Sequence, residues 1–274
     1  MKTGWLALAF SMAGVRAEAS VRTLFPPSDQ VFHRLLADPR QPQSLVRYYR
    51  QGGSDLADVA LGNTWGILRW EPSEGLPGWV FQWSVEGMGY SRFVLNSGIN
   101  EFQTIDFFAN IPLEFRKDAF SGRVMLFHQS SHLGDDYIRR TNDKGFRYGV
   151  DGFRATLSYE LHPQARVYGG GTALVHGVPS DQEGGAQSGF KLRTPDLRWI
   201  KDHECWGYFG QDFQWLGRTG WNLSSRTEAG LRIGVPRVVR AMRAHVAYTG
   251  GHSSFGQFYK REEFYWDFGL SFDF

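Results

Sequence analysis

The sequence predicts an antiparallel transmembrane β-barrel of about twelve strands. Its 274 residues are polar on average, with a mean hydropathy of −0.38, yet 16% of them are aromatic and 33 are glycine. After the N-terminus, no stretch approaches the ~18 consecutive apolar residues of a membrane-spanning helix. An export signal at one end and a regular apolar–polar alternation at the other complete a profile that is typical of outer-membrane barrels.

Residues 1–19 have the features of a cleaved secretory signal peptide. Lys2 supplies a positive charge, residues 5–15 form a short apolar stretch, and two small-x-Ala cleavage sites end at Ala17 and Ala19. The exported chain has one cysteine, so its stability cannot depend on an intramolecular disulfide. Because the formal net charge is only +2, no nucleic-acid partner is expected.

The C-terminus predicts a strand with one apolar and one polar face. Every second residue is apolar, in the order Phe264, Trp266, Phe268, Leu270, Phe272 and Phe274. The residues between them are Tyr265, Asp267, Gly269, Ser271 and Asp273. A period of two is that of a β-strand. A terminal phenylalanine on such a strand resembles the C-terminal signature of bacterial outer-membrane proteins, which predicts an outer-membrane location.

Turn signals divide the rest of the chain. Residues 20–43 contain four prolines and no clear period, so we interpret them as a periplasmic or barrel-plugging segment ahead of a barrel formed by residues 44–274. Strands are predicted at 44–50, 58–70, 78–94, 101–116, 119–131, 150–162, 164–175, 185–194, 205–215, 223–234, 237–249 and 262–274.

Loop lengths suggest the topology. If the first strand leaves the periplasm, the short turns after the even-numbered strands are periplasmic, and the longer loops at 132–149, 176–184 and 250–261 are extracellular. The connection at 195–204 is long although it would lie on the periplasmic side, where short turns are expected. This leaves the strand pairing there open. Charged residues alternate with apolar ones along 101–116 and 223–234. A charge facing lipid at mid-bilayer costs ~2–4 kcal/mol, so these charges must line the lumen, and we expect a narrow interior filled by ion pairs.

The stretch from Phe127 to Asp136 concentrates two histidines, two serines and two aspartates. Alternation along 119–131 puts Arg123 and Ser131 on the lumenal face. His128 and Ser130 continue the opposite, lipid-facing side near the extracellular end of the strand. His132, Asp135 and Asp136 are expected in the outer loop.

His128-Gln129-Ser130 resembles the His-x-Ser of outer-membrane phospholipase A and of the PagL-type lipid A deacylase. The resemblance implies that Ser130 attacks an acyl ester and that His128 acts as its base, since a serine is a weak nucleophile without one. In those enzymes a polar residue about fourteen positions after the histidine orients it. That position is Asn142 here, and Asp135 or Asp136 could orient His128 instead.

A second resemblance rests on four motifs: Leu24-Phe25-Pro26-Pro27, residues 36–42 (Leu-Ala-Asp-Pro-Arg-Gln-Pro), residues 128–136 (His-Gln-Ser-Ser-His-Leu-Gly-Asp-Asp) and Ser158-Tyr159-Glu160. Together they resemble a bacterial family known as domain of unknown function 1207, over residues 24 to 274. The resemblance implies an exported, barrel-like envelope protein and supplies no reaction.

The leading hypothesis is therefore a hydrolase of acyl esters in outer-leaflet lipid, either phospholipid or lipid A, with outer-membrane lipid or lipopolysaccharide as its partner and no cofactor. The alternative is a non-enzymatic barrel, either a narrow pore or a structural envelope protein. His128 and Ser130 would then be a hydrogen-bonded pair at the membrane interface, and Asp135 and Asp136 would cap backbone N–H groups in a loop turn. Calcium at the loop carboxylates and zinc at His128 and His132 stay open.

Overall fold

The computed structural model describes residue 27 and residues 30–72, 75–95, 98–180, 183–235 and 240–274. The predicted signal peptide, and most of residues 20–29, lie outside the described residues. Twelve antiparallel strands form one closed barrel in which each strand pairs with its neighbours in sequence and β1 pairs with β12. The predicted fold class and strand number are confirmed.

The strands are β1 (Ser44–Gln51), β2 (Ser54–Trp70), β3 (Val80–Val94), β4 (Glu101–Lys117), β5 (Phe120–Leu133), β6 (Tyr148–His162), β7 (Ala165–Val178), β8 (Gly185–Arg193), β9 (Glu204–Leu216), β10 (Leu223–Gly234), β11 (Ala241–His252) and β12 (Glu262–Asp273). A short helix, α1 (Asp135–Thr141), follows β5. No helix in the described ranges is long and apolar enough to cross a membrane.

The wall has its apolar residues outside and its polar residues inside. On β12, Phe264, Trp266 and Phe268 are among the most exposed large side chains of the chain, whereas Tyr265 and Asp267 between them are buried. In water this arrangement would be unfavourable, because apolar surface is left exposed. It is the expected arrangement where the outer wall contacts lipid.

The two ends of the barrel differ. We call the end at which β1 begins the turn end, and the opposite one the loop end. β4 and β5 are joined at the turn end by a turn so tight that Lys117 pairs with Phe120. The long connection before β9 is also at the turn end. β8 and β9 pair as the sequence predicts, from Gly185 opposite Leu216 to Arg193 opposite Tyr208, so this long connection is a real exception.

Residues 31–43 lie inside the barrel. Their backbone and side chains bind residues that face the lumen from strands all around the wall. Arg34 binds Asp273 at 2.8 Å, and Arg40 binds Gln214 at 2.5 Å. Gln41 accepts a hydrogen bond from Arg123 at 3.1 Å. The segment therefore enters the lumen from the turn end, and Arg40 reaches as far as Gln214, near the loop end of β9.

The loop end is filled from the other direction. The connection between β11 and β12 folds inward, with Phe255 fully buried against Tyr90 at a ring-centroid distance of 4.6 Å. Between the two insertions lies a network of buried ion pairs. Asp58 binds Arg47 at 2.7 Å and Arg92 at 3.1 Å, and all three side chains are at most 3% exposed. The narrow interior filled by ion pairs is thus observed in the described part of the chain.

We expect Asp58→Ala to lower the free energy of unfolding by about 3–5 kcal/mol, because it leaves two buried guanidinium groups without their shared carboxylate. Asp55→Ala is the matched control on the same strand. Asp55 accepts a hydrogen bond from the exposed Tyr48 at 2.8 Å and lies 3.8 Å from the largely exposed Arg50, and a surface ion pair of this kind contributes at most about 1 kcal/mol. Urea titration of the refolded protein in detergent or vesicles, read by the gel mobility of the folded barrel, measures both. Equal losses would contradict the network's role.

Candidate active site

Three polar side chains occupy successive outward positions near the loop end of β5. They are His128, Ser130 and His132, and the alternation predicted for this strand is observed as far as Ser130. The prediction that His132 lies in the loop is wrong: β5 continues to Leu133, so His132 extends the same outer face. Ser131 points inward and is buried.

Asp151 on β6 lies directly opposite His128 and binds it. His128 Nδ1 donates to Asp151 Oδ1 at 2.7 Å, and the two side chains are 47% and 48% exposed on the outer wall. Asp151 Oδ2 also accepts a hydrogen bond from His176 Nδ1, at 3.3 Å. A row of His128, Asp151 and His176 therefore crosses three adjacent strands on the lipid-facing side.

A β-bulge brings His176 into this row. Gly152 pairs with Leu174 while Asp151 pairs with His176, so Val175 is the extra residue on β7. A bulge reverses the facing of the residues that follow it. His176 consequently projects outward beside Asp151, where simple alternation from Ala173 would point it into the lumen.

The Asp151 contact sets the chemistry of His128. A carboxylate only accepts hydrogen bonds, so Nδ1 of His128 carries the proton and the lone pair of a neutral ring is on Nε2. That is the arrangement of a general base held by a carboxylate. No hydrogen bond joins His128 to Ser130 among the described residues. Such contacts are often long in a free enzyme and shorten only with substrate, and the two side chains share one face.

The structure does not bring Asn142 to His128. Asn142 is the C-terminal cap of α1, where its backbone N–H donates to the carbonyl of Ile138 at 2.8 Å. Asp135 and Asp136 form the first turn of α1, a favourable place for negative charge. Asp136 accepts hydrogen bonds from Arg139 and from the backbone N–H of Phe102. The carboxylate that binds His128 is thus Asp151, which was not among the predicted site residues.

The opposite face of the same strand is tied to the lumen. Ser131 donates to Asp106 and accepts a hydrogen bond from the backbone N–H of Gln257 at 2.9 Å. Gly256 donates its backbone N–H to Asp106 at 2.9 Å. The inserted loop that closes the loop end therefore holds the strand segment that carries Ser130 and His128.

Ser130 is open to the membrane on one side. Its paired residue on β6 is Gly149, which has no side chain. A Cβ atom added to Gly149 would meet only the backbone carbonyl of Gln129, at 4.0 Å, so the space beside Ser130 is open. Its neighbour across β4 is the exposed Phe107. A cleft of about 290 Å³ is lined by Ser130, His128 and Arg147 among other residues. In the described ranges, no three His, Cys, Asp or Glu side chains come together in a way that could hold a metal ion.

A closed twelve-stranded barrel with an apolar outer wall defines this molecule as an outer-membrane β-barrel protein. The chain belongs to a family of proteins of unknown function, DUF1207, whose sequence pattern it matches over residues 11–274.

Solved structures show the same fold. The Salmonella typhi outer membrane phospholipase dimer with bound calcium is 11% identical, with a TM-score of 0.53, and the match covers 89% of this chain and 94% of that one. Outer membrane phospholipase A from Escherichia coli is 12% identical, with a TM-score of 0.51, over 86% and 93% of the two chains. At these identities the likeness concerns the fold alone. A comparison with curated proteins found no match.

Proposed function

We propose that this protein hydrolyses acyl esters of membrane lipid, with Ser130 as nucleophile, His128 as general base and Asp151 as the residue that orients His128. The observation that carries the proposal is the 2.7 Å contact between His128 Nδ1 and Asp151 on the outer wall, on the face that also bears Ser130. The fold shared with two outer membrane phospholipases adds support.

The reaction follows from these positions. Ser130 Oγ attacks the ester carbonyl carbon while His128 Nε2 takes the hydroxyl proton, and His128 then returns that proton to the departing alcohol oxygen. Asp151 stabilises the imidazolium that exists between these two steps. Water, deprotonated by the same histidine, then attacks the acyl-serine carbonyl; the bond to Ser130 Oγ breaks as His128 returns the proton to that oxygen, and the fatty acid is released. The products are a free fatty acid and a lipid that has lost one acyl chain.

The outward location of the site supports a lipid substrate. Ser130 lies on the outer face of β5, and the lumen is filled from both ends in the described part of the chain, so a substrate reaches Ser130 from outside the barrel and not through the lumen. Near the loop end, which we place at the outer leaflet, the ester groups of phospholipid or of lipid A would come to this depth. Arg147, which lines the cleft, is suited to an anionic headgroup.

The test uses the folded protein in vesicles of phosphatidylethanolamine and phosphatidylglycerol, with and without lipopolysaccharide, and measures released fatty acid by mass spectrometry. In parallel, an alkyl sulfonyl fluoride is added and the modified peptide is sequenced. We expect fatty-acid release and an adduct on Ser130, with the adjacent but buried Ser131 unmodified as the internal control. Absence of release from every lipid, together with no adduct on Ser130, would leave the non-enzymatic barrel as the remaining function.

A further inference from the structure

A shallow depression of about 630 Å³ lies in the outer wall beside the candidate active site, on the side away from the loop end. Six of its lining residues present apolar side chains to the membrane: Val85, Ala109, Ile111, Leu126, Phe153 and Val175. All six are at least partly exposed. The depression reaches His128 and Asp151, which also line the cleft around Ser130. The two hollows are therefore adjacent, with the side chains of His128 and Asp151 between them.

Small residues create the depression. Ala109 on β4 lies directly opposite His128, and Gly87 on β3 lies directly opposite Ala109. The next outward residues on β4 are the large Phe107 and Ile111, both about half exposed. A Cβ at Gly87 would lie 3.7 Å from a ring carbon of Trp65, an ordinary van der Waals distance and the nearest contact apart from its neighbours in sequence. The outer surface is therefore lower at Gly87 and Ala109, because these residues have little side-chain volume.

The polarity of the two hollows matches that of a lipid. Toward the loop end, the cleft carries Arg147, His132 and Ser130. Toward the middle of the wall, the depression is apolar, and His128 and Asp151 lie at the junction. A lipid ester also lies at the junction between a polar headgroup and an apolar chain. A chain seated in the depression would therefore present its ester at the level of the histidine and serine.

We propose that this depression is the acyl-chain subsite, occupied by one fatty acyl chain of a membrane lipid, and that Ala109 determines whether a long chain is accepted. The inference rests on the proposed function. Lipid tails are as apolar as the wall, so the subsite gains little from hydrophobic burial. Its contribution is orientation: it holds the chain so that the ester carbonyl stays near Ser130.

The test compares rates on a matched pair of p-nitrophenyl esters in mixed micelles, a butyrate and a palmitate. Ala109→Phe fills the depression with a side chain of the kind that already covers this wall. We expect the palmitate-to-butyrate rate ratio to fall about tenfold or more, because a pocket that loses its space discriminates by chain size. The butyrate rate should fall much less than the palmitate rate, since the short chain does not extend into the depression.

Ala244→Phe is the matched control. Ala244 faces outward on β11, opposite Leu270 and Leu231 and remote from the cleft, so the same added ring should leave the ratio unchanged. Ala109→Leu gives a second variant with a smaller added volume, and the mobility of the folded barrel on gels verifies folding of each.

The outcomes separate the two proposals. If the unmodified protein hydrolyses the esters and Ser130→Ala does not, but Ala109→Phe and Ala109→Leu leave the ratio unchanged, the acyl-chain subsite is wrong and the proposed function stands. If Ser130→Ala is as active as the unmodified protein, the proposed function itself fails. A loss of both rates in Ala109→Phe with a folded barrel would also overturn the subsite, because the added ring would then act on His128 and not on the chain.

Discussion

Replacing Ser130 with alanine is expected to lower the rate of lipid ester hydrolysis by roughly 10⁴–10⁶-fold, the range seen when the nucleophile of a serine hydrolase is removed. The residual rate should be only that supported by substrate binding without a nucleophile. Folding should be unaffected, because Ser130 makes no side-chain hydrogen bond within the described residues and lies on the membrane side of the wall. Fatty-acid release at fixed lipid mole fraction measures the effect.

Ser131→Ala is the control for this experiment. It removes the hydroxyl of the next residue, which points to the buried face and binds Asp106 and the backbone of Gln257. We expect it to reduce stability while the folded fraction retains most of its hydrolytic rate. A result in which Ser131→Ala abolishes the reaction and Ser130→Ala does not would place the chemistry inside the barrel and contradict the proposed site.

Asp151→Ala is expected to lower the rate by about 10³–10⁴-fold, as for loss of the orienting carboxylate in other serine hydrolases. Without Asp151, no other hydrogen bond among the described residues fixes the ring of His128 with its proton on Nδ1, and the imidazolium formed during the reaction loses the carboxylate that binds it. Asp151→Asn keeps the shape of the side chain without the charge and separates orientation from electrostatic stabilisation. Initial rates of fatty-acid release, compared at equal folded protein, give the size of each loss.

Two further variants decide which residue orients His128. Asn142→Ala should leave the rate unchanged, because Asn142 caps α1 through its backbone and has no contact with His128. His176→Ala should cause a much smaller loss than Asp151→Ala, since its contact with the carboxylate is longer, at 3.3 Å against 2.7 Å. If Asn142→Ala were as inactive as Asp151→Ala, the structural assignment of the third residue would be wrong.

The fold could be predicted from the sequence because lipid and lumen impose the same period of two on every strand. The apolar alternation from Phe264 to Phe274 and the charged residues at alternate positions of β10 show which side chains face lipid and which face the lumen. Neither assignment requires knowledge of the neighbouring strands. Loop lengths then indicate the topology. The short helix α1 was missed, since seven residues between two strands give too little periodicity to distinguish a helix from a turn.

The candidate site could be predicted only in part. Strand alternation is a local property, and it placed His128 and Ser130 correctly on the outer face. Asp151 lies two residues before Phe153 and therefore on the same outward face of β6. A carboxylate on the lipid-facing side is unusual, and the sequence alone could have drawn attention to it. Its partner could not be known, because the register between β5 and β6 depends on the loop between them. The outward position of His176 could not be predicted, because it depends on the bulge at Val175, and no residue type in the sequence indicates that bulge.

The lumen segment has a consequence for the seam at which the barrel closes. β1 and β12 meet over six paired positions, from Ser44 with Phe272 to Tyr49 with Asp267, and this ladder is the shortest of the twelve. Residues just ahead of β1 reach across it from within: Arg34 binds Asp273 of β12, and Gln43 binds Arg243 of β11, at 2.8 Å each. Sideways parting of the seam would have to break these contacts as well as the backbone ladder. Side-chain contacts thus reinforce the shortest backbone ladder of the wall. The β1–β12 seam is therefore poorly suited to opening laterally into the membrane.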